Sequence, residues 1–174
     1  PPMNAAAKAA EPKDAAPLAS QRRSAARLAA VQVLYEMEMA GAPLEPLLGE
    51  FLHNRWLLGS GDEDDNGGAD DGLAEPDGGL LADLVRGVSA RIGELDGMIA
   101  PVLSAEWPME RLEVLLRAIL RAGAQELSEH PDTPPKVIIS EYVEVAHAFF
   151  AGSEAGLVNG VLDSLARGLR PGEM

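Results

Sequence analysis

The sequence predicts an all-α protein built around one helical domain. Aromatic residues make up only 4% of the chain while Ala and Leu abound, which disfavours the aromatic and β-branched strands of a sandwich. Apolar residues recur at i, i+3, i+4 and i+7 spacing in one segment after another instead of alternating. Gly and Pro fall between those segments, where helices start and stop. At 174 residues the chain is long enough to bury a substantial core.

Residues 1–19 are rich in Ala, Pro and Lys without periodicity and are expected to form a disordered tail, with Met3 as the natural first residue. Ser20 is expected to cap a first helix running to Ala40, which Gly41 and Pro43 stop. Its apolar residues fall on two faces: Leu28, Val31, Leu34 and Tyr35 on one, Ala26, Ala30, Val33 and Met37 on the other. Such a helix runs through the centre of a fold with neighbours on both sides. Leu44 to Leu58 reads as a second helix whose inner face is Leu44, Leu48, Phe51, Leu52 and Leu58.

Gly59 to Gly79 is acidic and glycine-rich, the composition of a solvated loop. Leu80 to Val102 reads as a third helix ending near Pro101. Pro108 suits the first turn of the next, which runs to Leu127 with Leu112, Leu115, Leu116, Ile119, Leu120 and Gly123 on one face. Thr133-Pro134-Pro135 opens a helix to Phe150, and Gly152-Ser153 breaks the chain and caps a last helix over 154–169. The domain spans 20–170, and 171–174 form a short C-terminal tail.

The stretch GLVNGVLD, 156–163, carries two opposed signals. Asn-Gly between apolar residues favours a two-residue hairpin. Against this, Leu157, Val161, Leu165 and Leu169 repeat every four residues, with Val158 and Leu162 in the adjacent row. One helix accounts for all six, although Gly160 then costs about 1 kcal/mol relative to Ala. In a helix Ser153, Gly156, Gly160 and Ser164 form a strip of small residues off the apolar stripe. That strip suits either another helix of the same fold or an external contact.

The net charge of −14 argues at first against nucleic acid. Its distribution weakens that objection: residues 42–80 hold ten acids against Arg55 alone, so most of the acidity belongs to one segment. There is no cysteine, which excludes disulfides and thiolate metal sites and is compatible with a reducing cytoplasm. No apolar run reaches membrane-spanning length, so a soluble cytoplasmic protein is expected.

No Walker loop, dinucleotide fingerprint, nucleophile elbow or HExxH occurs. Two Glu-x-x-His pairs, Glu50/His53 and Glu144/His147, have the spacing used by di-iron bundles. Both fall opposite the apolar faces of their helices, so surface pairs are expected and not metal ligands. His130 is expected at a helix end. No catalytic residue, metal site or cofactor is expected.

Arg22, Arg23 and Arg27 lie within two turns near the start of the first helix. A helix N-terminus favours phosphate, and arginine adds bidentate donors. The three either form a local anion site or are ordinary solvated arginines on a frayed end.

Three blocks carry a family resemblance: RRSAARLAAVQVLYEMEMAG (22–41), WPMERLEVLLRAILRAGAQEL (107–127) and PPKVIISEYVEVAHAFFAGSEAGLVNGVLDSLAR (134–167). With the motifs Ala30-Val31-Gln32-Val33-Leu34-Tyr35, Ala118 to Arg121 and Val158 to Asp163, they resemble the NusB family of transcription antitermination factors. The resemblance implies two small helical bundles packed across each other, about seven helices in all, with the first helix central. It implies binding of boxA-type single-stranded ribosomal leader RNA together with NusE, a small-subunit ribosomal protein, within an RNA polymerase antitermination complex. Homodimerisation is known in the family.

RNA contacts are implied for Arg22, Arg23 and Arg27 with Gln32 and Tyr35 on the first helix. On the last they are implied for Ser153, Leu157, Asn159 and Gly160. Leu157 stands where an aromatic is common, and Gln125 where a tyrosine is frequent. For NusE the resemblance points to the middle-helix region, where Glu110, Glu113, Arg117 and Arg121 form the polar face; Glu113 and Arg117 are spaced as an i,i+4 pair. Two other readings compete. One is the RNA-binding domain of ribosomal RNA cytosine methyltransferases, disfavoured because no methyl-donor domain follows. The other is a helical protein-interaction adaptor with little RNA binding.

Overall fold

The computed structural model describes residues 15–53 and 74–174. Among these residues there are seven α-helices and no strand. They are α1 (Ala15–Ala40), α2 (Leu44–His53), α3 (Gly78–Ala90), α4 (Ile92–Ile99), α5 (Val114–Glu129), α6 (Pro135–Phe149) and α7 (Glu154–Leu169), with 3₁₀ turns at Ala100–Val102 and Met109–Arg111.

The two-faced pattern of α1 holds for most of its expected residues, with Leu28 and Met37 partly buried and Tyr35 exposed. Ala26, Ala29, Ala30, Val31, Val33 and Leu34 are all buried. α1 packs chiefly on α3 and α5 and also touches α2 and α6. α5, α6 and α7 pack on one another, with α4 against α5. The core therefore runs through α1 and α5, which join the α1–α3 group to the α4–α7 group. α7 is one uninterrupted helix, so Asn159-Gly160 is not a hairpin turn. Val158, Val161, Leu162 and Leu165 are buried, while the outer members of the repeat are less so, Leu157 partly buried and Leu169 exposed. α5 comes close to α7 at Gly123, where a Cβ would lie 2.8 Å from Leu162 Cδ1.

Several boundaries differ from expectation. α1 already includes Ala15, so residues 15–19 are helical and Ser20 is an interior residue, not the cap. The run Ala15-Ala16-Pro17-Leu18-Ala19 explains this, because Ala and Leu are strong helix formers and Pro is tolerated in a first turn. The expected tail over 1–14, the end of the second helix over 54–58 and most of the acidic loop lie outside the described residues.

The helix expected over 80–102 is two helices and a 3₁₀ turn, preceded by an aspartate cap that was not expected. Asp77 accepts from the Leu80 amide at 3.1 Å. The break falls at Arg91, whose backbone leaves helical geometry at φ −128°, ψ 22°. Its guanidinium turns to Gln125 Oε1 at 2.7 Å, Glu94 at 2.9 Å and Glu129 at 3.2 Å, fastening the corner to α5. Gln125 is buried against Gly87, where any Cβ would collide with its amide. Pro108 does not begin α5 but precedes a 3₁₀ turn. Leu112 and Glu113 are extended, with Leu112 buried, and α5 proper starts at Val114.

The C-terminal end of α5 is closed from a distance. Arg170, buried just past α7, donates to the carbonyls of Leu127 (2.9 Å), Thr133 (2.6 Å) and His130. A cation among the last carbonyls of a helix satisfies orphan acceptors and complements the dipole.

Candidate nucleic-acid interface

The three arginines of α1 are not equivalent. Arg22 and Arg23 are exposed. Arg22 Nε donates to the Glu75 carbonyl at 3.3 Å, and the Arg22 carbonyl accepts from the Asp77 amide at 2.9 Å, so the chain entering α3 runs alongside. Arg27 is 2% exposed. Its guanidinium forks onto Glu126 of α5, Nε to Oε1 and Nη2 to Oε2 both at 2.8 Å, while Nη1 lies 3.4 Å from Glu141 Oε2 on α6. The Tyr142 hydroxyl donates to Glu126 Oε1 at 2.9 Å, and Ser24 Oγ donates to Glu141 Oε2 at 2.7 Å.

Arg27 is therefore withdrawn from the expected RNA contacts. Its charge is spent on a buried pair that ties α1 to α5 and α6. Burial alone would push the guanidinium down, but the hydrogen bonds and charge of Glu126, with Tyr142 and Glu141, hold it above its ordinary value. The Tyr142 phenol is driven well above its ordinary value, first by burial and then by the Glu126 charge.

Of the two readings of the arginine cluster, the anion site at the helix N-terminus is the one the geometry disfavours. Arg22 lies seven residues past Ala15, about 10 Å along the helix from its first described turn. What Arg22 and Arg23 offer is exposed guanidinium charge, mounted one turn before a residue locked into the core.

The remaining candidates of α1 are not gathered with these arginines. Gln32 and Tyr35 are both exposed and lie on one face. Gln32, nine residues from Arg23, points about 180° away around the helix and lies about 13 Å along it. On α7, Ser153, Asn159 and Gly160 are exposed, while Leu157 is partly buried against the core. Ser153 holds the cap position, but its side chain makes no cap hydrogen bond. Gly156 and Gly160 face open space, with nothing within 4 Å of a Cβ built on either. Internal helix packing does not explain the small-residue strip, since among the described residues no helix covers it. α6 contacts both helices that carry these candidates: it meets α1 at Ser24–Glu141 and packs closely along α7.

In the middle region Glu110 and Glu113 are exposed, Glu110 on the 3₁₀ turn and Glu113 at the cap of α5. Arg117 does not pair with the Glu113 side chain. It reaches Glu38 of α1 at 2.6 Å and the Leu112 carbonyl at 3.3 Å. Arg121 joins the same cluster, bidentate to Asp96 at 2.8 Å and 3.5 Å from Glu38. The Arg117 amide still donates to the Glu113 carbonyl at 3.0 Å, so the helical spacing is kept and it is the pull of Glu38 and the Leu112 carbonyl that takes the guanidinium elsewhere.

Glu50, His53, Glu144 and His147 are all exposed, on the outer faces where their spacing put them, and His130 caps the end of α5. Among the described residues no group of three His, Asp or Glu could hold a metal ion, and no helix is long and apolar enough to cross a membrane.

The model of the NusB family matches residues 24–167. A relative from Nitrobacter hamburgensis, named transcription antitermination protein NusB, is 45% identical over 154 residues, covering 88% of this chain and 91% of its own. One of the same name from Caulobacter vibrioides is 45% identical over 150 residues, covering 86% and 95%. The solved T. maritima NusB superposes with a TM-score of 0.67 at 28% identity, covering 87% of this chain and 94% of that one. The NusB chain of a complex of NusB and NusE with double-stranded RNA gives a TM-score of 0.64 at 24% identity, covering 85% and 98%, and bears on the fold.

Proposed function

The chain belongs to the NusB family, and on that footing we propose that it is a transcription antitermination factor. It binds boxA-type single-stranded RNA together with NusE and acts by binding, not by catalysis. The observation that carries the reading is the division of labour on α1. Arg22 and Arg23 project into solvent, while Arg27 one turn on is clamped to Glu126 and Glu141, so the exposed pair is held on a rigid base.

The proposed RNA path starts at Arg22 and Arg23, crosses α6 and ends at the open strip of α7, where Gly156 and Gly160 let a backbone approach closely beside the exposed Ser153 and Asn159. The arginines supply the salt-dependent, sequence-independent part of the affinity. NusE is proposed to dock on the middle region around Glu110 and Glu113. The chain's charge of −14 would steer a basic ribosomal protein toward it. Named relatives that are antitermination proteins, and a complex of the same fold holding NusE and RNA, support this reading.

A gel-shift titration with a boxA-containing RNA, with and without NusE and against a scrambled RNA, tests it. Preferential binding of the boxA RNA, strengthened by NusE, is expected. Equal binding of both RNAs with NusE present would overturn the reading in favour of a protein-interaction adaptor.

A further inference from the structure

We propose that Glu141 on α6 is a base-reading residue of the interface, a pre-oriented acceptor for the amino or imino edge of one RNA base. The proposal rests on the RNA-binding reading above and adds to it a source of sequence discrimination.

The carboxylate is held in place. Oε2 accepts from Ser24 Oγ at 2.7 Å and faces Arg27 Nη1 at 3.4 Å. Oε1 has no hydrogen-bond partner among the described residues, nor does it belong to their buried, unpartnered atoms, so solvent reaches it. The side chain is 25% exposed.

The charge count shows that Glu141 is not needed to neutralise the core. Arg27 is already matched by Glu126, which takes two of its donors at 2.8 Å each. Glu141 therefore brings surplus negative charge to the rim of a balanced pair. A carboxylate held by one hydrogen bond and one ion pair, with its second oxygen open, is arranged to accept at little cost in side-chain entropy.

The neighbours decide what it accepts. Ser24 directly follows the exposed Arg22 and Arg23, and Arg23 precedes Arg27 by one turn on the same face of α1. On α6, Val137 lies four residues before Glu141 and is 45% exposed, and exposed Glu144 lies three residues after it. Two carboxylates repel a phosphate. A lysine or arginine from a protein would meet Arg22 and Arg23 on its approach. An uncharged base edge meets neither barrier. Its amino group can donate to Oε1, as cytosine N4 donates to acidic side chains, while its apolar face lies on Val137. Discrimination by α7 would rest on Ser153, Leu157, Asn159 and Gly160, none of which offers an aromatic surface for stacking.

The test measures the affinity of the full chain with NusE for a boxA-type RNA and for its single-base variants, in wild type, Glu141→Ala and Glu141→Gln. In wild type, replacing the base that Glu141 reads is expected to cost about tenfold. Glu141→Ala is expected to erase that penalty at that position alone, with the other positions and the salt slope unchanged. Glu141→Gln, which keeps an acceptor for Ser24, retains part of it. If the Ala variant does not fold, the Gln variant decides: a penalty reduced by about threefold or more supports the proposal, and an unchanged one overturns it.

Three other outcomes overturn it as well. They are penalties unchanged at every position, affinity rising equally for all RNAs, and loss of NusE binding with base preferences intact. A wild type that does not distinguish boxA RNA from scrambled RNA defeats the antitermination reading itself, and this inference with it.

Discussion

Replacing Arg27 by Ala separates a buried clamp from a surface phosphate ligand. Glu126 is fully buried, and without Arg27 its remaining donor is the Tyr142 hydroxyl at 2.9 Å. Removing one partner of a buried ion pair costs about 3–5 kcal/mol. A domain's whole stability is about 5–15 kcal/mol, so the loss is about a fifth of it or more. With a urea m-value of roughly 2 kcal/mol/M, the unfolding midpoint is expected to fall by about 2 M. A solvent-facing arginine would behave otherwise, with stability changing by about 0.5 kcal/mol or less and the salt slope of RNA binding falling by about 0.7. Urea unfolding followed by circular dichroism, with RNA titrations at several salt concentrations, measures both quantities. A midpoint within about 0.3 M of wild type together with a reduced salt slope would refute the clamp. Arg27→Met combined with Glu126→Leu and Tyr142→Phe is expected to recover much of the loss, because removing the whole network leaves no orphaned charge or buried hydroxyl.

Gly160→Leu is expected to leave the fold intact or slightly stabilised, because a Cβ there meets nothing within 4 Å and Gly is a poor helix former; RNA binding should nevertheless weaken, and an unchanged gel shift would remove the strip from the interface. Gly123→Ala is expected to cost about 1–3 kcal/mol in urea unfolding, because its Cβ would press on Leu162 at 2.8 Å, and a midpoint equal to wild type would contradict that. Tyr142 tests the buried network through pH: its folded pKa is raised above the ordinary 10.0, so its contribution is intact below pH 10 and is lost as pH rises beyond it. The stability advantage of wild type over Tyr142→Phe should therefore shrink as pH rises above about 10, and a constant difference would show the phenol to be unperturbed.

The helices were legible because their signals are local. Leu157, Val161, Leu165 and Leu169 outweigh Asn159-Gly160 within a single segment, and the two-faced pattern of α1 places it at the centre without reference to any partner. The breaks were less legible. Arg91 ends α3 because its side chain is drawn to Gln125 and Glu129 on another helix, and Leu112 leaves helical geometry while buried in the core. The fate of Arg27 depends on Glu126, 99 residues away, so helical spacing alone grouped it with its exposed neighbours. A signal was present in the sequence. Glu126 is the lone acid in the run Ala122 to Leu127, and Arg27 sits directly between the apolar rows of α1. An acid and a base each embedded in a buried stripe call for one another, because neither is stable there alone.

The central claim is that Arg22 and Arg23 hold RNA phosphates from a rigid, buried base. The most direct test is the dependence of boxA RNA affinity on salt concentration, measured in wild type and in Arg22→Ala/Arg23→Ala. Weaker binding with a slope smaller by about 1.4, two single-strand phosphate contacts, is expected, at an unchanged urea midpoint. Equal affinity and equal slope in a variant of normal stability would contradict the claim.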